Sequence, residues 1–253
     1  MAITTPVPVP TNINEGVRAA RQQTMLSLVG NPRAQYTSEC QNPTNERIAS
    51  LIVVETVGRL KVRGLRPAVA SLRGVLADIE REAPEVYGSL GHVGMLCARL
   101  VRGSTTSISN HSWGTAIDLT LDGQLDRRGD GLVQQGLVRI APIFNRHSWF
   151  WGAGFGTEDA MHFECSDDLI RKWAEEDAFG PGKPAASPAM LMLGDRGPDV
   201  VHLQKTLNKH GAQLLADGDF GHNTQVAVMN FQAAHGLIAD GVAGPATLAA
   251  LHG

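Results

Sequence analysis

The stretch SNHSWGTAIDLTL, residues 109–121, decides the fold and chemistry of the longer part of the chain. From Ala116 onward, small or polar residues alternate with aliphatic ones, which predicts a strand that carries Asp118 in its middle. A carboxylate is costly to bury in such a strand unless it is paired or bound to a cation. His111 precedes the strand across a turn that contains Gly114, and this turn can bring the two side chains together.

A second stretch, GTEDAMHFE at residues 156–164, supplies complementary groups. On a strand, His162 and Glu164 would point to one face, and Asp159 lies three residues before His162. Either stretch alone is ambiguous, because a single histidine near a strand is more often a structural residue. Together they offer two histidines and one aspartate, a three-ligand set that leaves the fourth position of a tetrahedral zinc site open.

Both stretches resemble a known family. SNHSWGTAID and EDAMHFE are similar to the S-x-H-x6-D and D-x-x-H signatures of the zinc D-Ala-D-Ala carboxypeptidase and L-Ala-D-Glu endopeptidase family, which includes bacterial cell-wall enzymes and many phage endolysins. The resemblance implies that Zn²⁺ is bound by His111, Asp118 and His162, with Asp159 as the general base.

The resemblance leaves alternatives open for two roles. Glu158 and Glu164 are rival acids, and Asp159 is preferred because its offset from the second histidine fits the family pattern. Family members also carry an arginine upstream of the first histidine that steadies the substrate carbonyl and the developing oxyanion. Arg102 is the preferred candidate and Arg99 the alternative, and a surface position is an equally good interpretation of each.

Three further residues are substrate-binding candidates by resemblance. Ser109 would orient a ligand or the substrate, since family sites often keep a hydroxyl there. Trp149 and Trp151, in HSWFWGAGFG, resemble the Trp-Gly segment that forms a wall of the family's cleft. Packing in the core is an equally good interpretation of both tryptophans.

The C-terminal part contains an internal repeat, ADGDFGHNT at residues 216–224 and ADGVAGPAT at residues 239–247. Each copy predicts a tight turn followed by the start of a helix. Together with the pattern L-x-x-G-x-x-G-x-x-V-x-x-L-Q at residues 191–204, the repeat resembles the three-helix peptidoglycan-binding domain found on many wall hydrolases.

The segment GPGKPAASP, residues 180–188, predicts a linker, because its prolines and glycines cannot sustain a helix or a central strand. The chain is therefore divided into an N-terminal lead-in at residues 1–29, a zinc peptidase domain at 30–178, a Pro/Gly linker at 179–189 and a peptidoglycan-binding domain at 190–253. The expected fold is α+β: a small antiparallel sheet with flanking helices, including helices over 46–61 and 67–82, and then an all-α three-helix bundle.

The composition excludes several partner classes. A net charge of −3 over 253 residues, with no basic run, argues against a nucleic-acid partner. No apolar window approaches the length of a membrane span, and the N-terminus lacks the features of a secretory signal peptide. Cys40, Cys97 and Cys165 are too few for a disulfide framework and are interpreted as thiols, with one disulfide as the alternative.

These observations predict a monomeric, zinc-dependent peptidoglycan endopeptidase that cleaves stem peptides at the L-Ala–D-Glu bond. We expect it to be made in a host cytoplasm and to act on peptidoglycan after release, as a phage-type endolysin in host cell lysis. The alternatives are a D-Ala-D-Ala carboxypeptidase of bacterial wall remodelling and a non-catalytic wall-binding protein.

Overall fold

The computed structural model describes residues 2–37, 39–180 and 190–252. The chain divides into two compact units, one made by Met1–Arg102 with Ile108–Gly182 and the other by Gly103–Ser107 with Lys183–Gly253. Most of the predicted linker, residues 181–189, lies outside the described residues. None of the described helices combines the length and the apolar character that a membrane crossing requires.

The first unit mixes helices with short antiparallel strands, which confirms the predicted α+β class. A four-stranded sheet has the strand order Leu90–Gly94, Ala116–Leu121, His162–Cys165 and Trp149–Trp151, and two separate pairs are formed by Pro6–Pro8 with Leu132–Gln134 and by Ile52–Val57 with Leu60–Leu65. Its elements are β1 (Pro6–Pro8), α1 (Gln22–Leu28), α2 (Glu46–Leu51), β2 (Ile52–Val57), β3 (Leu60–Leu65), α3 (Arg66–Glu82), α4 (Pro84–Ser89), β4 (Leu90–Gly94), β5 (Ala116–Leu121), β6 (Leu132–Gln134), α5 (Gln135–Arg146), β7 (Trp149–Trp151), β8 (His162–Cys165) and α6 (Asp167–Glu175).

The prediction of one helix over residues 46–61 is wrong beyond Leu51. That helix ends there, and Ile52–Val57 pairs with Leu60–Leu65 as an antiparallel hairpin. The sequence IVVETV is rich in β-branched residues, which favour strands, and its apolar positions also satisfy a helical period. The helix predicted over residues 67–82 is confirmed as α3, with its proline in the first turn and its apolar face buried.

The N-terminal stretch, expected as an extended lead-in, packs onto this unit. Pro6–Pro8 pairs with Leu132–Gln134, and the Asn14 side chain bonds both backbone groups of Trp151, at 2.8 and 2.9 Å. Farther along, Ala19 forms a bridge with Ser166, directly after β8. This stretch therefore reaches the edge of the region that contains the candidate site.

A disulfide joins Cys40 to Cys97 across 57 positions of sequence. The interpretation of all three cysteines as thiols is therefore wrong for these two, whereas Cys165 is free and buried. The bridge lies beside the antiparallel contact of Gln41 with Ala98, and the backbone N–H of Cys97 donates to the carbonyl of His111 at 2.9 Å.

The second unit contains three helices within its described residues, as predicted: α7 (Pro198–Lys209), α8 (His222–Ala234) and α9 (Pro245–His252). They enclose a small apolar core that includes Val200, Leu203, Phe220, Val228 and Leu251. Burial of each such side chain stabilises the folded state by roughly 1.5–3 kcal/mol. A domain this small depends on these few contributions because it buries a small fraction of its surface.

The internal repeat has a structural explanation in two buried glutamines. Gln204 accepts a hydrogen bond from Gly218 N–H at 3.0 Å and donates to Asp217, the carbonyl of Asp219 and Thr224. In the second copy, Gln232 accepts from Gly241 N–H and donates to the equivalent aspartate, carbonyl and threonine. Each Asp-Gly turn is thus closed by an amide that is otherwise costly to bury.

Candidate active site

His111 is held by a single 3-10 turn, Asn110–Trp113, that is anchored on both sides. The indole of Trp113 donates to the carbonyl of Gly30 at 2.6 Å. The Ser112 hydroxyl accepts from the N–H of Arg99 and donates to its carbonyl, at 3.1 and 3.0 Å. The contacts of Trp113 and Ser112 therefore hold the turn in place.

Gly114 ends this turn in the left-handed region, with φ of 70°. A Cβ atom there would lie 2.8 Å from the backbone nitrogen of Leu65, which donates to the carbonyl of Gly114. The close approach of β3 therefore requires glycine at this position. The turn delivers the chain from His111 into β5, as the sequence predicted.

The pairing of β5 with β8 places Asp118 directly opposite His162. Since partners in an antiparallel pair project to the same face of the sheet, the carboxylate and the imidazole meet there. His111 comes to the same point from the preceding turn. The structure thus brings together all three predicted metal ligands.

The three donor atoms form a nearly equilateral triangle. Oδ1 of Asp118 lies 3.1 Å from Nε2 of His111 and 3.0 Å from Nδ1 of His162, and the two nitrogens are 3.2 Å apart. Ligands about 2.0–2.1 Å from a tetrahedral zinc ion are separated by roughly 3.3 Å. The spacing of the donors therefore suits one face of a tetrahedral site.

The outer nitrogen of each ring fixes its tautomer. Nδ1 of His111 lies 3.1 Å from the carbonyl oxygen of Met95, which can only accept, so this nitrogen donates. Nε2 of His162 donates in the same way to the Glu164 carboxylate at 2.9 Å. In the neutral rings the lone pairs then face the centre of the triangle, as metal coordination requires.

A positive charge at the centre of the triangle would be stabilised by the surrounding groups. Burial alone would raise the pKa of Asp118, but hydrogen bonds with His111 and His162 outweigh burial and hold that pKa well below its usual range. Burial would lower the pKa of His162, but hydrogen bonds with Asp118 and Glu164 outweigh it and raise that pKa to about 10. A proton or a divalent cation can supply this charge, and the geometry and tautomers fit zinc.

A cleft of about 390 Å³ opens over the triangle. Its lining includes the three ligands, Ser109 and Asp159, together with three arginines, Arg99, Arg102 and Arg128. The same lining includes three carboxylates, those of Asp118, Asp159 and Glu164, so the arginines balance the acids, and a guanidinium there can pair with a carboxylate of a substrate.

The two candidate arginines differ in depth. Arg99 is half-buried, and Asp118 and Asp159 are close enough to act on its charge, although burial and Arg102 together lower its pKa. Arg102 is exposed at the rim of the cleft. Both arginines line the cleft, so both can reach a substrate there. Arg99 is the more deeply buried of the two, which favours it for the contact with the substrate carbonyl.

Asp159 lines the cleft, as its proposed role requires. One carboxylate oxygen lies 3.3 Å from Nε of Arg128, and the other is buried without a hydrogen-bond partner among the described residues. Burial and the charge of Asp118 raise the pKa of Asp159, against the opposing effects of His162 and Arg128. The rival Glu158 instead accepts from the N–H groups of Gly129 and Asp130.

Ser109 is buried in the lining of the cleft, and its role in orienting a ligand or the substrate stays a prediction. Trp149 and Trp151 are fully buried and are not among the residues that line the cleft, which favours their alternative interpretation as core residues. Their indoles donate to Ser71 and to the carbonyl of Ala160, and their rings pack against phenylalanines of the core.

The sequence does not reveal the position of one residue of the site or the role of another. Arg128 enters the cleft from the loop after β5, and no motif pointed to it. Glu164, a rival acid by sequence, accepts a hydrogen bond from the His162 ring and holds it in place. The alternation of His162 and Glu164 along β8 was the one signal that suggested this contact.

Two family models match this chain, each over about a quarter of its length or less. Residues 102–165 match the D-alanyl-D-alanine carboxypeptidase model, and residues 196–251 match the putative peptidoglycan binding domain. The first match covers the three metal ligands, Arg102 and Asp159.

Relatives share short stretches with this chain. A stretch of 60 residues is 57% identical to the zinc D-Ala-D-Ala carboxypeptidase of Streptomyces albus G and covers 22% of this chain and 24% of that protein. A stretch of 57 residues is 46% identical to the N-acetylmuramoyl-L-alanine amidase CwlM of Mycobacterium tuberculosis, covering 22% and 14%. The crystal structure of a Burkholderia AP3 phage endolysin is 54% identical over 25% of this chain and 24% of that one, with a TM-score of 0.25.

The chain thus spans at most 24% of the length of these two curated relatives. The matches and the ligand triangle agree on two separate parts. Residues 102–165 are similar to the D-alanyl-D-alanine carboxypeptidase model, and residues 196–251 are similar to the putative peptidoglycan binding domain model.

Proposed function

We propose that this protein is a zinc-dependent peptidoglycan peptidase that cuts stem peptides, in the manner of a phage endolysin. The observation that carries the proposal is the triangle of His111, Asp118 and His162, with its donors 3.0–3.2 Å apart at the base of a cleft whose lining includes three arginines. The matched peptidoglycan binding domain supports a wall polymer as the substrate.

The residues around the triangle have the chemistry that peptide hydrolysis needs. Zinc bound there would act as a Lewis acid and increase the acidity of water. Asp159 would take a proton from the attacking water and return one to the leaving amine. Arg102, or the deeper Arg99, would donate hydrogen bonds to the scissile carbonyl oxygen as negative charge develops on it.

The L-Ala–D-Glu bond is the proposed target, since a lytic enzyme must cut bonds that hold the mesh together. Removal of a terminal D-Ala is the second candidate, which the description of the matched family favours. The arginines of the cleft would also suit the free carboxylate of such a terminus.

Mass spectrometry of digested peptidoglycan tests both the activity and the bond. An endopeptidase would produce peptides with a new D-Glu amino terminus, and a carboxypeptidase would release only D-Ala. A chelator should abolish either reaction, and added zinc should restore it. Intact muropeptides after digestion with the zinc-loaded protein would exclude both.

Asp159→Ala tests the proton transfer. The variant should fold and bind zinc yet lose wall hydrolysis by at least about a hundredfold. Glu80→Ala, a change at an exposed position of α3, is the matched control and should retain full activity. Hydrolysis by Asp159→Ala at the wild-type rate would remove Asp159 from this role.

A further inference from the structure

A groove of about 590 Å³ lies on the second unit, between the end of α7, the loop that follows it and one side of α8. Its floor is apolar and includes the buried Leu207 and Phe231, with Ala212, Leu214 and Ala227 partly buried around them. The volume is within the range of pockets that bind small ligands. The two glutamines that close the Asp-Gly turns, Gln204 and Gln232, do not line this groove. The groove is therefore separate from the contacts that explain the internal repeat.

The rim of the groove is made of neutral polar groups. Three amides, Gln213, Asn223 and Asn230, and the imidazole of His222 are exposed there. Within the part of the chain that the structure describes, none of these four side chains has a hydrogen-bond partner. An amide offers both donors and an acceptor, so the rim can pair with hydroxyl and acetamido groups.

Aromatic rings line one end of the groove and are held in place. The rings of Phe231 and His235 stack at a centroid distance of 4.0 Å, and His210 meets Phe231 edge-on at 5.1 Å. His210 is fixed by the carbonyl of Leu251 and His235 by that of Phe231. A fixed aromatic surface next to amides provides an apolar face for the C–H groups of a sugar ring at little ordering cost.

The two binding surfaces of the chain differ in charge. Among the described residues that line the groove there is no lysine, arginine, aspartate or glutamate, whereas the catalytic cleft is lined by three arginines and three carboxylates. In peptidoglycan, the stem peptides carry carboxylates and the sugar backbone carries hydroxyls and acetamido groups. A neutral groove gives a carboxylated peptide no ionic partner, but it matches the sugar backbone.

We propose that this groove binds the glycan strand through its N-acetylhexosamine units and does not bind the stem peptides. The inference rests on the proposed function, because it takes peptidoglycan as the polymer. The proposal has a functional consequence, because a peptidase cuts the stem peptides and leaves the glycan strand intact. The second unit would therefore keep the enzyme on the wall while the peptides around it are cut, which maintains a high local enzyme concentration.

The test uses the full chain with Asp159→Ala, treated with a chelator so that no hydrolysis occurs, in sedimentation with purified peptidoglycan. The double change Asn223→Ala/Asn230→Ala should weaken binding about tenfold, as expected when two hydrogen-bonding groups are lost. A second double variant, Gln213→Ala/His222→Ala, changes other parts of the rim and is tested in the same assay in case the first one affects folding. Lys205→Ala, exposed on α7 outside the groove, is the control.

Competition identifies the part of the polymer that is bound. Soluble N-acetylglucosamine oligomers should displace the protein from the wall, and free stem peptides should not. Displacement by the peptides alone, or unchanged binding of both folded double variants, would overturn the proposal. Hydrolysis is measured separately on the wild-type protein, so a failed binding test and an absent peptidase activity remain distinguishable.

Discussion

Oε2 of Glu164 lies 2.9 Å from Nε2 of His162, and the other carboxylate oxygen of Glu164 accepts a hydrogen bond from the N–H of Ala20 at 3.2 Å. The carboxylate thus connects the ring of a metal ligand to the N-terminal stretch. It is buried, and both oxygens are used. This contact fixes the ring orientation that leaves Nδ1 free to bind a metal.

Glu164→Gln should weaken zinc binding by about 10- to 100-fold, the usual effect of losing such an outer partner. Competition with a coloured zinc chelator measures the affinity. Glu158→Gln is the matched control, because Glu158 is also buried but holds the loop at Gly129 and leaves the ring untouched. Equal zinc affinity in both variants and the wild type would contradict a positioning role for Glu164.

Changes at the two arginines should separate their roles. Arg99→Ala should lower kcat by about 10²–10³-fold if the deeper guanidinium stabilises the oxyanion. Arg102→Ala, at the exposed rim, should then act mainly on KM. Steady-state kinetics on a soluble muropeptide provide both constants, and the reverse pattern would assign the oxyanion to Arg102.

The stability of the first unit should depend on Asp126. Burial is the main cause that raises its pKa to about 6, with smaller contributions from Asp130, Glu158 and Asp159. The unfolded chain has a pKa near 3.9 and releases the proton first, so stability falls as the pH rises from about 4 to about 6 and stays lower above that.

Asp126→Asn removes this dependence and should stabilise the protein at pH 7 by on the order of 1 kcal/mol, after allowance for solvent screening. Thermal midpoints at pH 4.5 and pH 7, for the wild type and the variant, check it; a rise of about 2–4 °C at pH 7 is expected. A variant that shifts the midpoint equally at both pH values would contradict the titration of Asp126.

The disulfide should make stability sensitive to reduction. Closing a loop of 57 positions stabilises a fold by roughly 2–4 kcal/mol. Denaturant unfolding with and without a reducing agent should show this loss in the wild type and in the control Cys165→Ala. The double variant Cys40→Ser/Cys97→Ser should be less stable and insensitive to the reagent.

Two short motifs, together with their resemblance to a known family, were sufficient to propose the triangle of His111, Asp118 and His162. His111 and Asp118 are separated by one turn and half a strand, and His162 and Glu164 by one strand repeat, so short-range geometry already limits where they point. The same reasoning predicted α3 and the three C-terminal helices, whose apolar faces recur at helical spacing.

What could not be predicted depends on contacts between distant segments. Ile52–Val57 became a strand through its pairing with Leu60–Leu65, although its sequence also fits a helix. The burial of Trp149 and Trp151 is decided by the core around them, and the position of Arg128 by a loop without a motif. Spacing in the sequence contains no information on these contacts.

The direct pairing of Asp118 with His162 also determines which changes of length the protein tolerates. A single residue inserted within either strand would turn one ligand to the opposite side of the sheet and abolish the ion site at once. Insertions in the loop after β5 would leave that pairing intact, because the loop enters and leaves at fixed strand ends. Substrate preference can therefore diversify through this loop while the metal chemistry stays the same.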